Sequence, residues 1–153
     1  MESSVLLLSL NEENNKKLNE MIENLKKEKV TNITKAKMYY LAGAYGYFCD
    51  KREKSQSNSI DVTRVEFLDR HEYKVQKILL DSIYQSQKEN LEGKTNKYKL
   101  FEEYANAGVR ELYEIFTESR DIEEFIETLE LKVSEEIEKL GFTIEEEYED
   151  DEI

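Results

Sequence analysis

Apolar positions along the chain fall mostly at helical spacing. Leu18, Met21, Ile22 and Leu25 repeat at intervals of three and four, which predicts a first helix reaching about Lys29. Ahead of it, Ser9-Leu10-Asn11-Glu12 has the spacing of a capping box, with Asn11 as the alternative cap. The apolar run Ser4 to Leu10 then sits against the core as a strand or a helix start. Thr31 to Thr34 reads as a link and a fresh cap. A second helix is expected from Lys35 to about Lys54, and its middle, Met38 to Cys49 (MYYLAGAYGYFC), is almost wholly apolar or aromatic. Gly43 and Gly46 inside it each cost about 1 kcal/mol against alanine. With Ala42 and Ala44 they form a small-residue patch that another helix can approach closely. This is the expected central helix.

Ser55 to Ser59 (SQSNS) is polar and turn-prone, which predicts a flexible loop. Ile60-Asp61-Val62 alternates as a very short strand would, although Asp61 or Thr63 suits a helical cap equally well. The third helix is expected over about Glu72 to Asn90, with Val75, Ile78, Leu79 and Ile83 facing the core. A loop at Leu91 to Asn96 leads into a fourth, carrying FEEYANAGVRELYEIF from Phe101 to Phe116. Asp121 caps a fifth, in which Ile122, Phe125, Ile126, Leu129, Val133, Ile137 and Leu140 hold the period until Gly141 ends it. The pattern predicts an all-α fold: a compact bundle of five or six helices, with room for one very short N-terminal strand.

Composition agrees with helices. Hydrophobic residues make up 39% and charged ones 37%, with no proline and five glycines, too little turn punctuation for a sheet-based fold. The single cysteine, Cys49, excludes an internal disulfide and fits a cytoplasmic setting. Ser4 to Leu10 is too short to span a membrane, and no other segment is a candidate. Charge changes the picture more. The net is −13, yet residues 31–120 hold fourteen acids against fifteen bases, and residues 121–153 fifteen acids against two. The expectation is one helical domain over residues 1–142, followed by an acidic, disordered tail over 143–153. The tail is a solubilising fringe in the plain reading, and a DNA-mimicking docking segment in the sharper one.

Reactive chemistry is sparse. His71 is the only histidine and lies far from Cys49, so no His/Cys metal site can be assembled, and neither a metal nor a cofactor is expected. No phosphate-binding loop, dinucleotide fingerprint or nucleophile elbow occurs. The paired glutamates, Glu102-Glu103 among them, read as solvated helix faces. Lys51, Arg52 and Lys54 before the polar loop, and Arg64 and Arg70 after it, form a candidate anion-binding patch if the fold brings them together. Interspersed Glu53, Asp61, Glu66 and Asp69 favour an ordinary mixed surface. Within the fourth helix, Arg110 is expected to pair locally with Glu103, Glu111 or Glu114. Asn106 is expected to bond a neighbouring backbone where helices meet.

Two blocks together resemble a family. Tyr39-Tyr40-Leu41-Ala42-Gly43-Ala44-Tyr45-Gly46, with Lys51 and Arg52 beyond, and Phe101-Glu102-Glu103-Tyr104-Ala105-Asn106 with Gly108, are similar to blocks in small DNA phosphorothioation-associated proteins. Those proteins are encoded beside bacterial DNA sulfur-modification and restriction genes. Ile60 and the Glu66-Phe67 pair lie between the blocks as comparable residues do in that family, and the likeness covers about residues 31–130. Ala107 stands where the family commonly has a second glycine, and the family's usual proline after the first helix is missing. The resemblance implies antiphage defence as a setting and no particular reaction. The expected function is therefore a non-enzymatic accessory or regulatory protein that binds a protein component of a defence or DNA-modification complex. Direct DNA binding is expected to be weak or absent. A homodimer is a second expectation, closed by the outer face of the second helix and the FEEYAN helix. The alternative function is a small nucleotide- or nucleic-acid-binding sensor or enzyme using Arg52, Arg64 and Glu66.

Overall fold

The computed structural model describes residues 6–30, 33–91 and 96–139. Strand β1 (Leu7–Leu10) is followed by helix α1 (Glu12–Lys27) and helix α2 (Lys35–Phe48). Strand β2 (Ile60–Arg64) leads through two 3-10 turns, Val65–Asp69 and His71–Tyr73, into α3 (Lys74–Gln87). Helices α4 (Lys97–Glu118) and α5 (Ile122–Lys139) complete the order. The fold is mostly a helical bundle, with one short two-stranded antiparallel sheet. Leu8 pairs with Thr63 and Ser9 with Asp61, so the register slips by one residue between them. Leu8 and Leu10 point into the core on alternate positions, as a half-buried strand requires.

Helices α2 and α4 are the centre of the molecule. They meet at glycines. A side chain on Gly46 would run into the Tyr104 carbonyl, and one on Gly108 into the Ala42 carbonyl. Closer to the α2 N-terminus, Tyr39 and Tyr40 pack their rings at 5.9 and 5.7 Å from the ring of Phe101. Gly43 leaves room for that same Phe101 ring. The small residues thus let two backbones touch, and the aromatics fill the wedge where the helices diverge. Helix α1 lays Leu18, Met21, Ile22 and Leu25 against this pair, and all four are buried.

Predicted boundaries differ in places. Helix α2 stops at Phe48, short of Lys54, because Asp50 takes a left-handed φ of 57°. The amides of Asp50 and Lys51 then bond back to the carbonyls of Tyr47 and Gly46, a Schellman closure. Helix α1 closes the same way around Lys29, at φ 68°. The core face of α3 also differs in part from the expected one. Ile83 is buried and Leu79 half-buried as expected, but Val75 and Ile78 are exposed and Leu80 is buried instead. Thr34 and Asp121 do cap α2 and α5, accepting from the amides of Lys37 and Glu124. The acidic tail expected over 143–153 lies outside the described residues.

Candidate functional site

Helix α4 presents Glu102, Asn106 and Arg110 four residues apart, hence in one row along its surface. Each reaches a different segment. Asn106 is fully buried and its Oδ1 accepts from the backbone amide of Asn11 and from Asn14 Nδ2, both at 2.9 Å. Two donors facing one oxygen decide which way this amide points. Its Nδ2 donates to the Glu102 carbonyl. The Glu102 carboxylate accepts from the Ser9 amide at 2.9 Å and from Ser55 Oγ at 3.3 Å. Arg110 lies 3.2 Å from Glu53 Oε1. It therefore reaches across to another segment, and not to the local Glu103, Glu111 or Glu114.

Glu53 is the second hub. Its Oε2 accepts from Asn11 Nδ2 and Asn14 Nδ2, each at 3.0 Å, and its backbone amide donates to the Glu103 carbonyl. The polar segment 55–59 is pinned by the same group. Asn11 Oδ1 accepts from the Gln56 amide and Ser59 Oγ, and Asn58 donates to Glu12. The segment is a loop, as expected, and it is tied to Asn11 through the Gln56 amide and the Ser59 hydroxyl. That tie also explains why Asn11 begins α1 without a side-chain cap. Asn14 uses both amide protons at this junction, and its Oδ1 is buried without a hydrogen-bond partner among the described residues.

Just outside the junction, Lys51, Arg52 and Arg110 line an open groove of about 390 Å³ with Glu53 and Glu111. Every one of these cations faces a carboxylate. Lys51 is 3.1 Å from Glu111, Arg52 is 3.6 Å from Glu103, and Arg110 holds Glu53. The Arg52 guanidinium also lies 6.0 Å from the centre of the Tyr104 ring. Of the remaining candidate cations, Lys54 is exposed. Arg64 lies 3.8 Å from Glu66, and Arg70 covers the Phe67 ring at 4.0 Å. Lys51 and Arg52 thus share a groove with Arg110, whereas Arg64 and Arg70 have neighbours of their own on the segment from β2 through the first 3-10 turn. Among the described residues no group of three or more histidine, cysteine, aspartate or glutamate side chains is placed to hold a metal.

Burial pushes the Glu102 carboxyl above its usual range, and the Ser9 amide opposes this in part. Its donors come from a strand and a loop, so it works as a clasp between them. Of the residues that build this junction, Asn14 has no role in the sequence pattern, Asn11 is expected there only as a helix cap, and Glu53 only as part of a mixed surface. One signal was available. Asn14 precedes Leu18 by four places and so sits on the buried row of α1, a polar residue on an apolar stripe. The motif residues Gly43, Gly46, Phe101, Tyr104 and Gly108 all belong to the α2–α4 contact. No protein-family model, curated protein or solved structure matches the chain. No helix among the described residues is long and apolar enough to cross a membrane.

Proposed function

We propose that the protein is a non-enzymatic accessory or regulatory component of a bacterial DNA-modification or antiphage defence system, acting through contacts with a larger protein. The setting rests on the likeness of the Tyr39–Gly46 and Phe101–Gly108 blocks to those of phosphorothioation-associated proteins. The mode of action rests on one observation: the distinctive residues of those blocks are used inside the molecule. Glu102 and Asn106 fasten β1, α1 and the 51–59 segment to α4, and the glycines let the central helices touch. Chemistry in the FEEYAN block is therefore architectural, and the outer surface is what remains for partners. The sensor alternative calls on Arg52, Arg64 and Glu66 at one site; Arg64 and Glu66 are neighbours at 3.8 Å, whereas Arg52 faces Glu103 and lines a groove that includes neither of them.

The test is affinity capture of the tagged full chain from its native cells at about 0.15 M salt. The expected result is a stoichiometric protein encoded with the modification or restriction genes. Recovery of the tagged chain alone, from cells that express those genes, counts against the reading.

A further inference from the structure

We propose that the protein pairs with a second copy of itself across the outer face of α2, the exposed ridge of α3 in one protomer entering the apolar groove of the other. The inference is independent of the accessory role above. Its starting point is that α2 has no charged residue between Met38 and Cys49, so it is apolar on every side, as helices covered all round are. Helix α4 covers the inner side. The outer side, Leu41, Ala44 and Phe48, forms the floor of a groove of about 410 Å³. Leu79 of α3 and Leu129 and Val133 of α5 complete its lining.

Beside the groove stands a matching ridge. Val75 lies one turn before Leu79 on α3 and is 72% exposed, and Ile78 beyond it is 57% exposed. The face is thus self-complementary, groove and ridge side by side, which is what a twofold interface requires. Charge fits the same seating. Lys74 immediately precedes the ridge at the start of α3 and makes no ion pair among the described residues. On α5, Glu123 and Glu130 flank exposed Ile126 at helical spacing. Each copy thus offers a cation without an ion pair beside its ridge and exposed acids on the α5 helix that lines its groove, the charge complement that two copies seated ridge in groove would use. Stable pairs bury about 800 Å² per partner, and an apolar face spread over three helices has the breadth for it. This seat keeps the outer face of α2 from the dimer expected on the sequence and replaces the FEEYAN helix, whose Phe101, Tyr104 and Val109 are buried within the protomer, by α3 and α5.

The test is sedimentation velocity of the full chain and of the Val75→Glu/Ile78→Glu variant, over about 1 to 100 μM, with circular dichroism and thermal unfolding as fold controls. Both side chains point to solvent, so the variant is expected to fold like the parent. The parent should sediment at twice 18.2 kDa, and the variant at the single-chain mass over the whole range. A parent dimer that survives both substitutions overturns the proposal, since the seat is then elsewhere. A parent monomer also overturns it. If removing residues 140–153 then converts that monomer to a dimer, the groove belongs to that segment.

Discussion

Asn106 and Glu102 sit on one row of α4, yet electrostatics treats them differently. Asn106 is neutral, and its Oδ1 and Nδ2 both have partners, so its burial carries little penalty. Glu102 carries a charge into a half-buried place, and desolvation raises its pKa from the ordinary 4.5. A folded-state value above the unfolded one means that folding favours the protonated acid. The Glu102 contribution to stability is therefore fullest below about pH 4.5 and is lost as pH rises through the folded value. Glu102→Gln keeps an oxygen for the Ser9 amide and removes the titration. We expect the stability of the variant, relative to the parent, to fall as pH is lowered from about 7 to about 4.5. Urea unfolding at those two pH values measures it, and a difference unchanged by pH would refute the clasp's buried charge. The role of Asn106 was legible in outline, since an amide among small residues needs a nearby backbone. The acceptance from Asn14 was not, because it depends on how α1 is laid against α4.

At the scale of elements, small residues in α2 and α4 announced a close crossing, and the structure has one. Gly108 packs on the Ala42 carbonyl and Gly46 on that of Tyr104. Neither obstacle is the flexible end of a side chain, so a methyl group at either glycine has to push the helices apart. We expect Gly108→Ala to cost about 3 kcal/mol, the upper part of the range for overpacked cores, although alanine is the better helix former. Gly43→Ala should cost less, because its obstacle is the Phe101 ring, which can shift more easily than backbone. Chemical denaturation of the two variants checks the order, and a near-neutral Gly108→Ala would mean a looser crossing than described. The ends of α1 and α2 were less legible. Both close through a left-handed residue, a position where glycine is the usual signal, and here Lys29 and Asp50 occupy it. The α3 face was misjudged in part. Val75 and Ile78 look like core by periodicity, but Leu80 is buried in their place, while the expected Ile83 is buried and Leu79 half-buried.

For the whole molecule the decisive quantity is where charge lies. The net of −13 arises from residues 121–153, and residues 31–120 are nearly balanced. Local pairing lowers the pull on nucleic acid further. Lys51, Arg52 and Arg110, gathered at one groove, face Glu111, Glu103 and Glu53. A phosphate arriving there has to displace a carboxylate already at ion-pair distance, and it gains only the difference between two anions. Duplex binding by release of counterions needs several uncompensated cations, each phosphate contact adding to the salt slope. Long-range repulsion from α5 works against approach as well. We therefore expect the full chain to show no submicromolar shift of a DNA duplex, modified or unmodified, at about 0.15 M salt. Removing residues 140–153 takes away seven acids and none of the carboxylates that hold the groove cations, so the shortened chain should fail as well. A mobility-shift titration of both forms distinguishes the two sources of exclusion. Tight binding by the shortened chain alone would assign exclusion to the acidic end, and tight binding by both would show that the groove carboxylates yield to phosphate.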